Sequence, residues 1–403
     1  TRASRIVYMD YNATTPLDPE VKALMVEHMD TYANASSLHE LGRSARAEIE
    51  EARAQIGMLI GEDSASDSVI FTSGGSESNN TVFATMFHLR RKSKRNKIIT
   101  TSIEHPCVLN AAKWLAEEGF PVRFLKVDSS GKIDMDELQS LLDEETLLVS
   151  VMMANNEIGT IQDITRITAM AKAKGAFVHT DATQAVGKIR VDVRELGVDY
   201  LTLSCHKLYG PKGIGALYVR KGSPLEPLIR GGHQEHGHRA GTYNNLGILG
   251  FGKAAELAGK RLGEYGERMT KLRKRLRDGL AERIPMIHIN GHENDVLPNT
   301  LNVSFPGAEG ESILLYLDLA GIEVSTGSAC ASGSLDPSHV LLATGLGPEL
   351  AHGSIRFSLG MQNTEADVDY VLEEMPKIIK RLRGMSTVST ADIQSTLKQG
   401  ASK

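Results

Sequence analysis

The chain is poor in cysteine, with three in 403 residues. That is too few for a disulfide framework. The odd count and the wide spacing of Cys107, Cys205 and Cys330 suit a reducing compartment and leave room for one working thiol. Long apolar runs are also lacking. No stretch approaches the about 18 apolar residues that a membrane-spanning helix needs, and Thr1–Arg5 carries no apolar signal core. The expected location is therefore cytoplasmic, or an organelle matrix, with no membrane partner. Positive charge is not in excess: 45 Lys and Arg stand against 50 Asp and Glu, a net charge of −5, which argues against a general nucleic-acid binder. The basic stretch from Arg268 to Arg283 follows a helical pattern and reads as a solvated helix face. There is no internal repeat and no low-complexity tract.

What is present is an ordinary globular composition, 41% hydrophobic and 24% charged. The length suits one large α/β domain plus a smaller one. Short apolar runs predict strands at Val69–Thr72, Lys97–Thr101, Val122–Val127, Leu147–Met153, Phe177–Thr180, Tyr200–Leu203 and Gly215–Val219. Several are almost continuously apolar, as in strands buried on both faces. Helical patterns lie between them at Ser76–Arg91, Val108–Glu118, Met135–Leu142 and Ile164–Lys174. This alternation predicts a mostly parallel sheet with helices on both faces. After about residue 260 the pattern changes to a long charged helix (Tyr265–Arg283) and fewer strands, among them Thr300–Phe305 and Ser354–Ser358. The expected organisation is a large domain over 16–260, a small α+β domain from 1–15 and 261–385, and a polar tail over 386–403.

Three segments at predicted strand ends carry chemistry, where open α/β sheets bind ligands. Thr72-Ser73-Gly74-Gly75-Ser76-Glu77 links a strand to a helix. Its glycines admit an anion to the backbone, and the helix start offers free N–H groups; alone such a segment is usually an ordinary turn. His179-Thr180-Asp181-Ala182-Thr183-Gln184 delivers Asp181 at a strand end. A carboxylate there can hold a protonated pyridine nitrogen or simply cap a turn. Ser204-Cys205-His206-Lys207 places a lysine just after an apolar strand, where it can bond covalently to a carbonyl group.

In this order and spacing the three segments resemble the class V aminotransferase family of pyridoxal-phosphate enzymes, and within it the cysteine desulfurases of the NifS/IscS group. The resemblance runs from Tyr8-Met9-Asp10-Tyr11-Asn12-Ala13-Thr14-Thr15-Pro16 to Ser354-Ile355-Arg356-Phe357-Ser358-Leu359-Gly360. It passes through Asn34–His39, Glu104-His105, Asn155–Gly159, Arg239–Thr242 and Ser325–Cys330. It implies a fold type I pyridoxal-phosphate transferase, with a large mostly parallel sheet domain and a smaller α+β domain. It also implies roles. Lys207 carries the cofactor and later moves the Cα proton. Asp181 pairs with the pyridine nitrogen, Gln184 contacts the phenolic oxygen, and His105 stacks on the ring and can act as acid or base. Gly75, Ser76, Ser204 and His206 surround the phosphate, which Thr242 reaches from the other subunit of a homodimer. Asn34, Asn156 and Arg356 position the substrate, and the planar guanidinium of Arg356 suits a carboxylate.

Cys330 stands in Ser-Thr-Gly-Ser-Ala-Cys-Ala-Ser-Gly-Ser. Small neighbours on both sides predict an exposed loop rather than a core position. The resemblance makes this thiol the sulfur carrier: L-cysteine becomes L-alanine, and a persulfide on Cys330 passes to an iron–sulfur scaffold or another acceptor protein. The long stretch from Cys330 to Arg356 is similar to the long-loop branch of the family. Leu228–Glu235 and Gly333–His339 look closer to its nitrogen-fixation type. Cys107 and Cys205 read as packing residues. His233, Glu235, His236 and His238 look metal-like in composition only, and no metal is expected. The competing readings are another class V activity, such as an aminotransferase or selenocysteine lyase, and a noncatalytic scaffold of an assembly complex. An aminotransferase has no use for a loop thiol, and a scaffold none for Lys207, Asp181 and His105.

Overall fold

The computed structural model describes residues 5–326, 336–386, 392–395 and 397. Its twelve strands, in chain order, are β1 (Val7–Tyr8), β2 (Val69–Thr72), β3 (Lys97–Thr101), β4 (Val122–Leu125), β5 (Thr146–Ser150), β6 (Phe177–Asp181), β7 (Tyr200–Ser204), β8 (Gly215–Val219), β9 (His288–Asn290), β10 (Thr300–Ser304), β11 (Ile322–Glu323) and β12 (Ser354–Ser358). Seven of them form one sheet in the order β2-β8-β7-β6-β5-β3-β4. All its neighbours are parallel except those of β8, which runs antiparallel to both β2 and β7. The expected α/β architecture with a mostly parallel sheet is what the chain adopts.

Every residue of β2, β3, β5, β7 and β8 is buried, because helices cover both faces. Some of their polar side chains pair across the sheet through β6. Ser150 Oγ lies 2.7 Å from His179 Nδ1, and His179 Nε2 lies 3.0 Å from Thr202 Oγ1, so a polar thread crosses β5, β6 and β7. Burial pushes His179 down to about 4, which keeps this ring neutral inside the sheet.

The predicted helices appear at Gly75–Leu89, Pro106–Glu117, Met135–Leu141 and Ile164–Ala173. The long helix differs from expectation. It spans Asn245–Arg283, 39 residues, beginning twenty residues before the predicted Tyr265. Its first half is apolar and glycine-rich, without the charged period that marks a surface helix. Gly252 explains why: a Cβ there would lie 2.6 Å from Ala52 Cα, so the helix packs backbone to backbone on the helix Glu40–Leu59. Ile248, Phe251 and Leu257 join the core beside the large sheet. Tyr265, Met269, Leu272 and Leu276 join a second core. That second core is built on an antiparallel sheet, order β12-β10-β9, and on the parallel pair β1–β11. Beyond residue 386, residues 392–395 form a helical turn with Ile393 buried.

Candidate active site

β2, β3, β5, β6 and β7 all end on one edge of the large sheet, and each is followed by residues that line a single cavity of about 390 Å³. After β2 come Gly75 and Ser76; after β3, His105 and Cys107; after β5, Met152, Ala154 and Asn156. Asp181 ends β6, with Thr183 and Gln184 beyond it, and Ser204, His206 and Lys207 end β7. Asn12 and Ala13, from beside β1, and Arg356, from β12, close the cavity from the second core. Of the twelve predicted site residues that are described, ten meet here: Gly75, Ser76, His105, Asn156, Asp181, Gln184, Ser204, His206, Lys207 and Arg356. Asn34 and Thr242 do not. Both are exposed on this chain, and their loops are joined by Asn245 Nδ2 donating to Ala33 O at 3.2 Å. Cys330 lies outside the described residues.

One end of the cavity is built for an anion. The backbone N–H groups of Gly75 and Ser76 open the helix Gly75–Leu89 and have no intrahelical acceptor. Ser204 and His206 stand beside them. Gly75 leaves this end open, since a Cβ there would crowd Thr183 Oγ1 at 3.2 Å. Thr183 Oγ1 is itself buried without a partner among the described residues. Burial and the neighbouring Lys207 and Lys212 push His206 down to about 4; its Nδ1 lies 3.0 Å from Thr14 Oγ1. Among the described residues no carboxylate lines this end.

The middle holds Asp181, the one carboxylate of the lining among the described residues, 6% exposed. It accepts from Asn79 Nδ2 at 2.8 Å and from Thr183 N at 3.0 Å, so its orientation is set. A carboxylate held this way, facing a cavity, suits a protonated ring nitrogen. His105 caps the helix Pro106–Glu117, its Nδ1 accepting from Cys107 N–H at 3.2 Å. Burial holds His105 below the usual imidazole range, as does its place at a helix N-terminus. The ring is neutral, with Nδ1 an acceptor. Lys207 Nζ donates to Asn12 O at 2.5 Å and Ala13 O at 2.7 Å.

Arg356 lies at the far end, 2% exposed. One arm donates to Asp10 Oδ1 at 2.8 Å and another to Asn156 O at 3.1 Å. Its Nε is buried with no partner among the described residues, a donor available to a carboxylate. Its backbone pairs with Ser325. Ser338 donates its hydroxyl to buried Glu157, and His339 lies 3.0 Å from Glu104 O.

Sequence reasoning missed several contributors. Cys107 does not simply pack: it lines the cavity, with Sγ 3.0 Å from His105 Nδ1 and accepting from Asn79 Nδ2 at 3.1 Å. Burial pushes its thiol up to about 12, so it is an inert S–H donor rather than a nucleophile. Cys205 is fully buried, as expected. Asn79 lies on the buried face of the helix Gly75–Leu89, with nothing in its local sequence to mark it. Asn12 and Lys188, which hold Gln184, gave no local signal. Glu235 from the histidine-rich loop is buried in an ion pair with Arg53 at 2.7 Å, which removes it from any metal set. The bidentate pair of Arg239 with Glu77, 2.9 and 3.2 Å, ties two of the motif segments together.

Residues 7–371 match the aminotransferase class-V family. The chain belongs to that family. It is 50% identical over 384 residues to a cysteine desulfurase IscS of Dictyoglomus turgidum, covering 95% of this chain and 96% of the relative. It is 46% identical to a cysteine desulfurase IscS of Methanosarcina thermophila, covering 97% and 96%. Among solved structures, a NifS-like protein aligns with TM-score 0.87 at 41% identity, covering 94% of this chain and all of that one. A structure of SspA in complex with cysteine aligns with TM-score 0.77 at 36% identity, covering 89% and 99%.

Proposed function

We propose that this chain is a pyridoxal-phosphate-dependent cysteine desulfurase that takes sulfur from L-cysteine as a persulfide on Cys330 for iron–sulfur cluster assembly. One observation carries the reading: a single cavity with an anion-binding end, a fixed carboxylate, a lysine and a buried arginine, in a member of the class V family.

The residues fit the cofactor. Gly75, Ser76, Ser204 and His206 would hold its phosphate, Asp181 its ring nitrogen, Gln184 its phenolic oxygen and Lys207 its carbonyl carbon. When bound, the group supplies an electron sink for charge at the substrate Cα. The protein does the rest. Arg356 and Asn156 hold the substrate carboxylate end, with the Nε of Arg356 as the unused donor. Lys207, held beside Asn12 and Ala13, would take the Cα proton. Neutral His105 is placed to accept or return a proton at the ring face. The thiolate of Cys330 attacks the substrate sulfur; the sulfur–carbon bond breaks, the sulfur–sulfur bond forms, and alanine leaves with a proton added at Cβ. The enzyme keeps one sulfur atom and needs no external oxidant. Cys330 is five residues beyond Ser325, an extended reach of up to roughly 17 Å.

This reading makes the working unit a homodimer. Asn34 and Thr242 share one surface of the chain, away from its own cavity, where Thr242 can serve a partner's phosphate site. Val26, Met29, Tyr32, Leu38 and Leu41 are exposed nearby in sequence to Asn34, as expected of a face that a second copy covers. Among the described residues no helix is long and apolar enough to cross a membrane; the sulfur acceptor is a protein in the same, reducing compartment.

The test is turnover of L-cysteine with pyridoxal phosphate and a reducing thiol. Wild type is expected to release alanine and sulfide in equal amounts, and Lys207→Ala to release neither. Full cysteine turnover by Cys330→Ala contradicts the persulfide route.

A further inference from the structure

Lys188 is 4% exposed and sits on the turn after β6, its N–H donating to Ala185 O at 3.0 Å. Its Nζ touches no carboxylate among its described partners. It donates to Gln184 Oε1 at 2.6 Å and Asn12 Oδ1 at 2.9 Å. The charged groups that act on it are Lys207 and Arg356, both cations; Asp18, in the adjoining cleft, is paired with Arg261 at 2.6 Å. An amine buried among cations is an expensive way to fill space that a methionine would fill more cheaply. Its value lies in what it can and cannot do: it offers N–H donors, so its neighbours must turn oxygens toward it.

That constraint decides the side-chain amide of Gln184. With Oε1 turned to Lys188, Nε2 points the other way and donates to Asn12 O at 3.0 Å. The same carbonyl accepts from Lys207 Nζ at 2.5 Å. Nε2 is therefore held one carbonyl away from the nitrogen of Lys207. Asn12 is fixed in its turn. Its Oδ1 also accepts from Asn299 Nδ2 at 3.1 Å, and its Nδ2 donates to Thr300 Oγ1 at 2.8 Å and Asn156 O at 3.1 Å. Neither amide can flip without breaking several bonds.

We propose that Lys188 is a positioning residue that locks Gln184 with its donor, not its acceptor, toward Lys207 and the phenolic oxygen of the bound cofactor. The inference rests on the proposed function, which places that oxygen beside Gln184. A donor there stabilises an oxyanion; a flipped amide would set oxygen against oxygen. Burial and the two cations hold Lys188 well below the usual amine range.

The experiment is a pH titration of the visible absorption of the cofactor-loaded protein, with bound cofactor quantified separately. Lys188→Met is expected to move the midpoint upward by about one pH unit, tenfold in proton affinity, as loss of a donor to a charged oxygen would. In a Gln184→Leu background Lys188→Met is expected to move it no further. A wild-type midpoint in Lys188→Met overturns the proposal, as does an equal shift in both backgrounds, which would mean that Lys188 acts by charge alone. Absence of any visible band in loaded wild type sinks the desulfurase reading together with this one; a normal wild-type band with an unmoved variant sinks only this one. Should Lys188→Met fail to fold, a crystal structure of the loaded wild type decides: the amine must contact Gln184 while the other amide atom meets the phenolic oxygen. An amine turned away from Gln184 refutes the assignment.

Discussion

Replacing Glu235 by glutamine tests how the loop bearing Thr242 is held. Glu235 is 3% exposed and Arg53 2%. The carboxylate accepts from Arg53 Nη1 at 2.7 Å and Nη2 at 2.9 Å, and from Phe71 N at 2.9 Å. The guanidinium also donates to Val69 O and to Glu50, and lies 4.7 Å over the Phe71 ring. The pair thus fastens the loop to β2 and to the helix Glu40–Leu59. Breaking a buried pair costs about 3–5 kcal/mol, because it strands the remaining charge. Glu50 stays as a partially exposed partner, which places Glu235→Gln near the low end, about 3 kcal/mol. Urea unfolding should show a lower midpoint with an unchanged slope. Arg53→Met should cost a similar amount, and the double variant clearly less than the sum. A loss under about 1 kcal/mol for Glu235→Gln, the scale of an exposed pair, would refute this account of the loop.

Three further outcomes follow. Burial raises Glu104 to about 8 and Glu157 to about 7, so the folded chain holds more protons than the unfolded one between pH 4.5 and 8; stability is fully present below that window and falls as pH rises through it, by up to about 1.4 kcal/mol per pH unit per group. Glu104→Gln should flatten part of that slope in unfolding measured from pH 5 to 8; an unchanged slope contradicts the assignment. Asn79→Ala removes the donor to Asp181 Oδ2 and should weaken cofactor binding about tenfold or more, the scale of a hydrogen bond to a charged group, as read by equilibrium dialysis. Gly360→Ala sets a Cβ 2.1 Å from the Tyr11 ring and should cost about 1–3 kcal/mol by overpacking in thermal unfolding, whereas a neutral effect would mean that Tyr11 repacks freely.

The large sheet was legible because its strands are buried on both faces and therefore read as continuous apolar runs with turn signals between them. The residues at their carboxyl ends were legible for the same reason: a strand end fixes where Asp181 and Lys207 emerge. The first half of the helix Asn245–Arg283 was hidden, since glycines that allow close helix contact mimic loop composition. Lys188, Asn79 and Cys107 could not be found from sequence, because their roles depend on which amide or ring they meet across the fold. Asn34 and Thr242 illustrate a different limit: their family pattern is plain, yet one chain keeps them outside its own cavity.

The most direct measurement is mass analysis of the peptide containing Cys330 after a brief incubation of the loaded protein with L-cysteine and no reducing thiol. The account predicts a gain of one sulfur atom on Cys330, absent in Lys207→Ala and absent without L-cysteine. An unmodified Cys330 in protein that has released alanine would contradict it.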